Sequence, residues 1–333
     1  MTKYTIKDIA RETGYSISTV SRVLNNKSEG MTNETRQKIL QTVAKLNYQP
    51  NQFARGLITK KSNVLGLMVP NILNPYFAQI CRGAEDEAAR QGYSLIICNS
   101  DDNPEKEKRY IRLLKERQVD GMLLASMNRL SAENEFYLTD SQIPFVLVDR
   151  GNDQNIAPGV SIDNLQGGYL AGNHLLELGH RNIACMTGPS GISNSEKRLQ
   201  GFLMAMKEKG VQIPFHHIID GNYDMDSAYS EAKRFLQTSD VTAIFTHNDL
   251  MACGVYEAAN ELGIAIPDQL SVIGFDDIPF CNVLSPKLTT IRQDTYKMGQ
   301  ESVNLLVKQI EKEPTESLFC EPTLVIRSST ANI

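Results

Sequence analysis

The sequence predicts a small all-α N-terminal domain followed by an α/β body of two lobes, each built on a doubly wound parallel sheet. In residues 5 to 46, apolar side chains recur at helical spacing in three short segments. From Ser62 onward, continuous Val, Ile and Leu runs alternate with amphipathic stretches, as in parallel strands covered by helices on both faces. This alternating part is too long for one sheet, so we expect two lobes.

The composition is that of a globular protein. The chain has 333 residues, of which 41% are hydrophobic, and this length suggests two or three domains. The N-terminus carries charges throughout, and no apolar run approaches the roughly 20 residues that span a membrane. The six cysteines are scattered, without a CxxC pair or a histidine at metal spacing. We therefore expect reduced thiols, no metal site and a cytoplasmic location.

The net charge of -5 is unevenly distributed along the chain. Residues 1 to 60 hold ten Lys and Arg against four Asp and Glu, so this part carries +6 and the remainder -11. A basic head on an acidic body favours contact between the head and a polyanion. An excess this small could also arise by chance.

Three short helices are expected in the head. Thr5, Ser16 and Thr32 stand where N-caps belong, and Gly14 stands where a tight turn requires positive φ. The helices carry the apolar residues Ile6, Ile9, Ala10, Val20, Val23, Leu24, Ile39, Leu40, Val43 and Leu46.

The first two helices and their glycine turn form a helix-turn-helix, in which the start of the second helix enters the major groove of DNA. The outer face of that helix carries Ile17, Ser18, Thr19, Ser21 and Arg22. Short side chains allow a close approach to the bases, and the arginine can donate two hydrogen bonds to guanine or contact a phosphate. A small protein-binding helical bundle is the alternative.

Residues 47 to 61 read as a linker, since they are polar and contain Pro50. Asn51 could cap a short helix over residues 52 to 57, which is too short to be stable alone in water.

The motif TIKDIARETGYSISTVSRVLNN, followed by YQPNQFARGL, resembles the lactose/galactose-repressor family, and the resemblance covers the whole chain. It implies a homodimer whose two heads bind a palindromic operator in double-stranded DNA. It also implies that Ile17, Ser18 and Arg22 contact bases, while the DNA backbone is held by Thr5, Ser16, Thr19, Ser21 and Asn25.

The resemblance further implies a hinge helix in the linker that forms only on operator DNA. Leu57 would then enter a central base step of the minor groove, flanked by Ala54 and Arg55, and an apolar wedge of this kind kinks the duplex. Without the resemblance, Leu57 could simply pack against the body.

The body alternates strands and helices. The predicted strands are VLGLMVP, YSLIICN, DGMLLAS, PFVLVD, NIACMTG, TAIFTH and LSVIGFD. The predicted helices span residues 75–91, 104–118, 166–178, 195–209, 249–262 and 295–312. We expect the chain to cross between lobes near residues 151–164 and near TTIRQD.

Polar and aromatic side chains follow these strands, where ligands of open α/β sheets bind. They are Asn74, Tyr76, Phe77, Asp149, Arg150, Asn248, Asp249, Phe275, Asp276 and Gln293, with Arg198 in the first turns of a helix. A carboxylate accepts hydrogen bonds from adjacent hydroxyls, an arginine donates, and aromatic faces cover the C–H side of a sugar. The set predicts a polyhydroxylated ligand, although each residue alone could be a cap, a turn or a surface ion pair.

The resemblance extends to this site and implies a periplasmic-binding-protein-like body. All of these positions except Tyr76 and Asp249 look closest to a ribose site, and RGAEDEAARQGYSLIICNSDDNPEKE resembles ribose-operon repressors. The implied domains are a helix-turn-helix (1–46), a hinge linker (47–61) and an effector-binding and dimerisation body (62–333). Within the body we expect an N-lobe of about 62–160 and 292–320 and a C-lobe of about 161–291 and 321–333.

Other functions remain open. An enzyme is disfavoured, because no nucleophile elbow, phosphate loop, dinucleotide fingerprint or HExxH motif is present, and no cofactor is expected. A transport-type sugar-binding protein would not explain the head. Within the family, another sugar, a purine or a phosphoprotein could be the effector.

Overall fold

The computed structural model describes residues 4–24, 30–48, 61–125, 138–149 and 156–333. Contacts divide the chain into two compact units, Met1–Ser62 and Asn63–Ile333.

The first unit contains the three predicted helices, α1 (Ile6–Thr13), α2 (Ile17–Leu24) and α3 (Asn33–Lys45). Their fully buried core is small and consists of Ile9, Val20, Val23 and Ile39. Each helix contributes to it, because its apolar residues recur at helical spacing and so share one face.

The helix ends follow the local sequence. Gly14 ends α1 at φ 76°, and Ser16 Oγ accepts a hydrogen bond from the Thr19 backbone N–H at 3.1 Å. Thr32 caps α3 by accepting from the N–H of Thr35. At the start of α1 the Asp8 carboxylate accepts from both the backbone N–H and the hydroxyl of Thr5, at 2.9 and 2.8 Å.

The second unit contains two six-stranded sheets. The strands are β1 (Val64–Val69), β2 (Ser94–Asn99), β3 (Gly121–Leu124), β4 (Phe145–Val148), β5 (Gly159–Ile162), β6 (Ile183–Thr187), β7 (Ile218–Asp220), β8 (Ala243–Thr246), β9 (Ser271–Asp276), β10 (Thr289–Arg292), β11 (Leu318–Cys320) and β12 (Thr323–Val325). The first sheet has the order β11-β5-β4-β3-β1-β2, and the second has the order β12-β10-β9-β8-β6-β7. All pairs are parallel except β10 with β12.

Helices cover these sheets. They are α4 (Pro75–Arg90), α5 (Pro104–Glu116), α6 (Asn164–Glu177), α7 (Ser193–Glu208), α8 (Met225–Leu236), α9 (Asp249–Leu262) and α10 (Thr295–Ile310). Six match the predicted helices to within two residues at each end, and α8 is an addition. The predicted fold class, a helix-turn-helix with a two-lobed parallel α/β body, is therefore confirmed.

In the described residues, the chain passes between the two sheets at three places: from β5 to α6, from β10 to α10 and from β11 to β12. Because β5 belongs to the first sheet and ends at Ile162, the first crossing directly follows this residue. Helix α10 packs on α4, and α6 packs on α7. In each lobe, therefore, one of the packed helices is the first element after a crossing.

Two of these helix pairs approach closely at glycines. A Cβ on Gly299 of α10 would lie 2.2 Å from the carbonyl oxygen of Ile80 on α4. A Cβ on Gly168 of α6 would lie 2.0 Å from the carbonyl oxygen of Arg198 on α7. Both contacts are with backbone, so neither can be relieved by a side-chain rotation.

We predict that Gly299→Ala lowers the free energy of unfolding by about 1–3 kcal/mol, because the added methyl group forces α10 away from α4. Denaturant unfolding measures the change. Alanine normally favours a helix over glycine by about 1 kcal/mol, so stabilisation would contradict the close contact. The control, Lys308→Ala on an exposed site of α10, should change stability by less than about 0.5 kcal/mol.

Candidate functional site

A cleft of about 640 Å³ lies between the two lobes, at the carboxyl ends of their strands. Its walls come from both lobes, through the segments that follow β1, β2, β4, β6, β7 and β8, the end of β9 and the start of α7. This is where open parallel sheets place ligands. A cavity of about 680 Å³ on the edge of the second lobe is slightly larger, but none of the predicted strand-end residues lines it.

The cleft brings most of the predicted ligand-binding residues together. Those that line it are Asn74, Tyr76, Phe77, Asp149, Arg198, Asn248 and Asp276. Phe275 and Gln293 lie directly behind this lining and contact residues in it. Arg150 lies outside the described residues.

Arg198 is the only arginine in the cleft lining of the described chain, and only 4% of it is exposed. Its Nε–H donates to Asn164 Oδ1 at 2.7 Å, and Nη1 donates to the carbonyl of His247. The guanidinium carbon lies 3.7 Å from the centre of the Phe275 ring, and Nη1 lies 4.0 Å from Asp276 Oδ1. Burial opposes the charged form, but nearby Tyr223 and the Asp276 carboxylate keep the pKa of Arg198 raised.

The two cleft carboxylates are joined by a chain of hydrogen bonds. The Tyr76 hydroxyl lies 2.5 Å from Asp149 Oδ1 and 3.2 Å from Gln293 Oε1. The Gln293 amide in turn donates to Asp276 Oδ1 at 2.7 Å. Burial raises the pKa of Asp276 well above its usual range, and burial with the Asp149 charge raises that of Tyr76.

Both carboxylates sit on unusual backbone. Asp149 has φ 64° and Asp276 has φ 119°, in the left-handed region that residues other than glycine rarely adopt. Strain of this kind persists when the surroundings fix the conformation, and it concentrates at functional sites. Here it turns each carboxylate toward the cleft at the end of its strand.

The structure adds cleft residues that the sequence did not single out. The Tyr223 hydroxyl is buried and has no hydrogen-bond partner among the described residues, and burial raises its pKa to about 12. Asn194 donates its amide to the backbone carbonyl of Asp149 at 2.9 Å, which links the two lobes.

Tyr223 follows β7, which has only three residues and gives no recognisable strand pattern. Asn194 lies one residue before the predicted helix start at residue 195. It is also six residues beyond the end of the predicted strand NIACMTG, so it did not count as a strand-end residue. Neither residue therefore carried a sequence signal.

Two predicted positions combine a structural role with a place in the cleft. Asn248 caps α9 by accepting from the Met251 N–H at 2.8 Å, and its amide lies 3.3 Å from the Tyr223 carbonyl. Asn74 caps α4 in the same way through the N–H of Tyr76. The cap and the ligand-site interpretations of these asparagines are therefore compatible.

Asp249 and His247 are buried outside the cleft lining. The Asp249 carboxylate accepts from the Thr290 hydroxyl at 2.6 Å and from the Ile278 N–H at 2.9 Å, and burial raises its pKa to about 6. Burial and Arg198 lower the pKa of His247 well below its usual range, so this imidazole is neutral. Both side chains act as structural supports beneath the cleft.

The head presents a second candidate surface at the start of α2. Ile17 is 45% exposed, and Ser16, Ser18 and Arg22 are also exposed. Thr19 and Ser21 are half-buried on the same helix, and Thr5 is exposed before α1. The predicted contacts Asn25, Asn51, Ala54, Arg55 and Leu57 lie outside the described residues.

No helix within the described ranges is long and apolar enough to span a membrane. The same ranges contain no group of three or more His, Cys, Asp or Glu residues suited to a metal ion.

Comparisons with known proteins cover the whole chain. Residues 5–51 match the model of bacterial regulatory proteins of the lacI family, and residues 173–330 match a periplasmic binding protein-like domain. The chain is 39% identical to a ribose operon repressor of Halalkalibacterium halodurans, across 98% of this chain and 97% of that protein. It is 35% identical to the HTH-type transcriptional repressor PurR of Photobacterium profundum, across 99% of both chains.

Solved structures agree with these relatives. A lac repressor dimer bound to operator and the anti-inducer ONPF matches with a TM-score of 0.88 and 26% identity, across 99% of this chain and 100% of that one. A LacI family regulator from Enterococcus faecium with bound ribose matches with a TM-score of 0.74 and 32% identity, across 81% and 99%. The chain therefore belongs to the LacI family of bacterial regulatory proteins, and it is a helix-turn-helix transcriptional repressor and not an enzyme.

Proposed function

We propose that this protein binds a palindromic operator as a homodimer and releases it when a small sugar, ribose, occupies the cleft. The observation that carries the proposal is a buried, charged Arg198 facing two carboxylates between the lobes. The relative named ribose operon repressor and the ribose-bound family structure support the choice of sugar.

The chemistry of the cleft suits a pentose. Asp149 and Asp276 can each accept hydrogen bonds from adjacent hydroxyls, and Arg198 can donate to ring or hydroxyl oxygens. The rings of Phe77 and Tyr223 provide apolar faces for the C–H side of the sugar. The unpartnered Tyr223 hydroxyl gains a partner when a polyhydroxylated ligand enters.

On the DNA side, the exposed start of α2 enters the major groove. Ile17, Ser18 and Arg22 contact bases, while Thr5, Ser16, Thr19, Ser21 and Asn25 hold the backbone. The linker forms a hinge helix on the operator, with Asn51 as its cap and Leu57 in the minor groove between Ala54 and Arg55.

The two sites are coupled through closure of the cleft. Sugar binding draws the lobes together and shifts the linkers of the dimer apart, so the short hinge helices lose their pairing and melt. A hundredfold loss of operator affinity requires only about 2.7 kcal/mol of coupling, and operator must weaken sugar binding by the same factor. Equal sugar affinity with and without operator would contradict this scheme.

The sign of the ligand effect separates ribose induction from purine co-repression, the alternative effector within the family. An inducer weakens operator binding, whereas a co-repressor strengthens it. Fluorescence anisotropy on labelled operator with ribose or a purine base distinguishes the two.

We predict that Arg198→Ala leaves operator affinity unchanged but lowers ribose affinity by at least about 100-fold, because two buried carboxylates lose their cation. Calorimetry measures sugar binding, and anisotropy measures operator release. The control is Arg234→Ala, which removes an exposed arginine paired with Glu231 in the other cavity. A normal ribose response in Arg198→Ala would exclude this cleft as the effector site.

We also predict that ribose affinity falls as pH decreases, starting at a higher pH than for an ordinary aspartate. Burial raises the pKa of Asp276, so its carboxylate takes up a proton early and then accepts hydrogen bonds less well. Calorimetric titration between pH 8 and about pH 5 measures this dependence. Asp276→Asn should bind weakly with a flatter profile, whereas Asp224→Asn, at an exposed cleft aspartate, should keep the slope.

We predict that Arg22→Ala weakens specific operator binding by about 1–3 kcal/mol and relaxes base preference at one position of each half-site. Lys45→Ala removes a positive charge from an exposed position on α3 and serves as the matched control. Equal effects of both substitutions would mean that Arg22 acts only through its charge.

A further inference from the structure

A buried amide joins the cleft arginine to the first crossing between the lobes. Asn164 is the first residue of α6 and is only 3% exposed, and it does not line the cleft. Its Oδ1 accepts from Arg198 Nε at 2.7 Å, and its Nδ2 donates to the carbonyl of Ile162 at 3.3 Å. Ile162 is the last residue of β5 in the first lobe's sheet. One side chain therefore contacts both the ligand-facing arginine and the connection between lobes.

The two contacts require an amide. Arg198 Nε can only donate, and the Ile162 carbonyl can only accept, so the residue between them must accept on one side and donate on the other. Aspartate supplies the acceptor without the donor, and alanine supplies neither. The same requirement fixes which way the Asn164 amide is turned.

Helix α6 holds Arg198 at a second point. Gly168, one turn after Asn164, is the position whose Cβ would lie 2.0 Å from the Arg198 carbonyl oxygen. The backbone of the arginine is thus pressed against α6, while its Nε is bonded to the first residue of the same helix. A ligand that moves Arg198 must therefore move the start of α6 with it.

The start of α6 is bonded to another crossing. The N–H of Asp163 donates to the carbonyl of Cys320 at 3.3 Å, and β5 pairs with β11 through Ile162 and Cys320. Cys320 ends β11, where the chain crosses back toward β12. A shift at Asn164 reaches two of the three crossings through these backbone bonds.

We propose that Asn164 is a positioning residue that orients Arg198 for the effector and transmits effector binding to the crossing at β5. This inference rests on the proposed function of the cleft. Its acceptor atom sets effector affinity through Arg198, and its donor atom sets the response of the crossing through Ile162.

The two roles are separable by substitution in the full-length protein. Asn164→Ala should lower D-ribose affinity by about 10- to 100-fold, the loss expected for a hydrogen bond to a charged group. Asn164→Asp keeps the acceptor, so its ribose affinity should remain within about fivefold of wild type. Calorimetry gives these affinities.

Hydrogen exchange measures the second role. Saturating D-ribose should slow amide exchange in peptides covering residues 156–163 and 317–322 of the wild-type protein, and this slowing should be absent in Asn164→Asp. Gln166→Glu makes the same amide-to-carboxylate change two residues away at an exposed site, and it should behave as wild type.

The outcomes separate this inference from the proposed function. A wild-type protein that does not bind D-ribose contradicts the proposed effector and this inference with it. Normal ribose binding and normal exchange in both Asn164 variants overturn this inference alone, and so does an equal loss of affinity in the two variants.

A double-mutant cycle tests whether the effect of Asn164 on ribose affinity depends on Arg198. Arg198→Lys keeps the charge but removes the Nε–H that Asn164 accepts, so adding Asn164→Ala to it should cost no further ribose affinity. A full additional loss would show that Asn164 acts independently of Arg198 and would overturn the inference.

Discussion

The body of this protein depends on keeping one guanidinium charged in a nearly dry environment. Arg198 achieves this with an aromatic face below it, a backbone carbonyl and an amide at its edges, and a carboxylate 4.0 Å away. A buried charge is costly unless each of its donors is satisfied. Asn164 and the His247 carbonyl satisfy part of this requirement, and because Arg198 lines the cleft, an oxygen-rich ligand can accept from its remaining N–H groups.

Side-chain amides at two of the lobe crossings form hydrogen bonds to residues of the cleft. Asn164 stands where the chain leaves β5, and Gln293 stands where it leaves β10. Asn164 holds Arg198, and Gln293 connects Tyr76 of one lobe to Asp276 of the other. Because an amide donates and accepts at once, it can join an arginine or a hydroxyl to a backbone or carboxylate partner. The crossings thus connect the lobes covalently, and they also supply side chains that bond to residues lining the cleft.

The sequence predicted the fold because its patterns are local. The three head helices, six of the body helices and the strands rich in Val, Ile and Leu carry their periodicity within short windows. The three-residue strands β7, β11 and β12 are too short to show an alternating pattern, and the 12-residue helix α8 was not predicted. Residues that follow predicted strands were therefore identified, whereas Tyr223, which follows the three-residue β7, was not.

By itself the sequence determined the fold class, the family and which residue types gather at the strand ends, since these follow from periodicity, motif and order along the chain. Only the tertiary structure decided which of those residues face the cleft. Phe275 and Gln293 follow the same rule as Asp276 yet lie behind the lining, and Asn164 gained its role from a residue 34 positions away. The direction of a side chain depends on backbone dihedrals and on long-range neighbours, and neither is encoded in a local pattern.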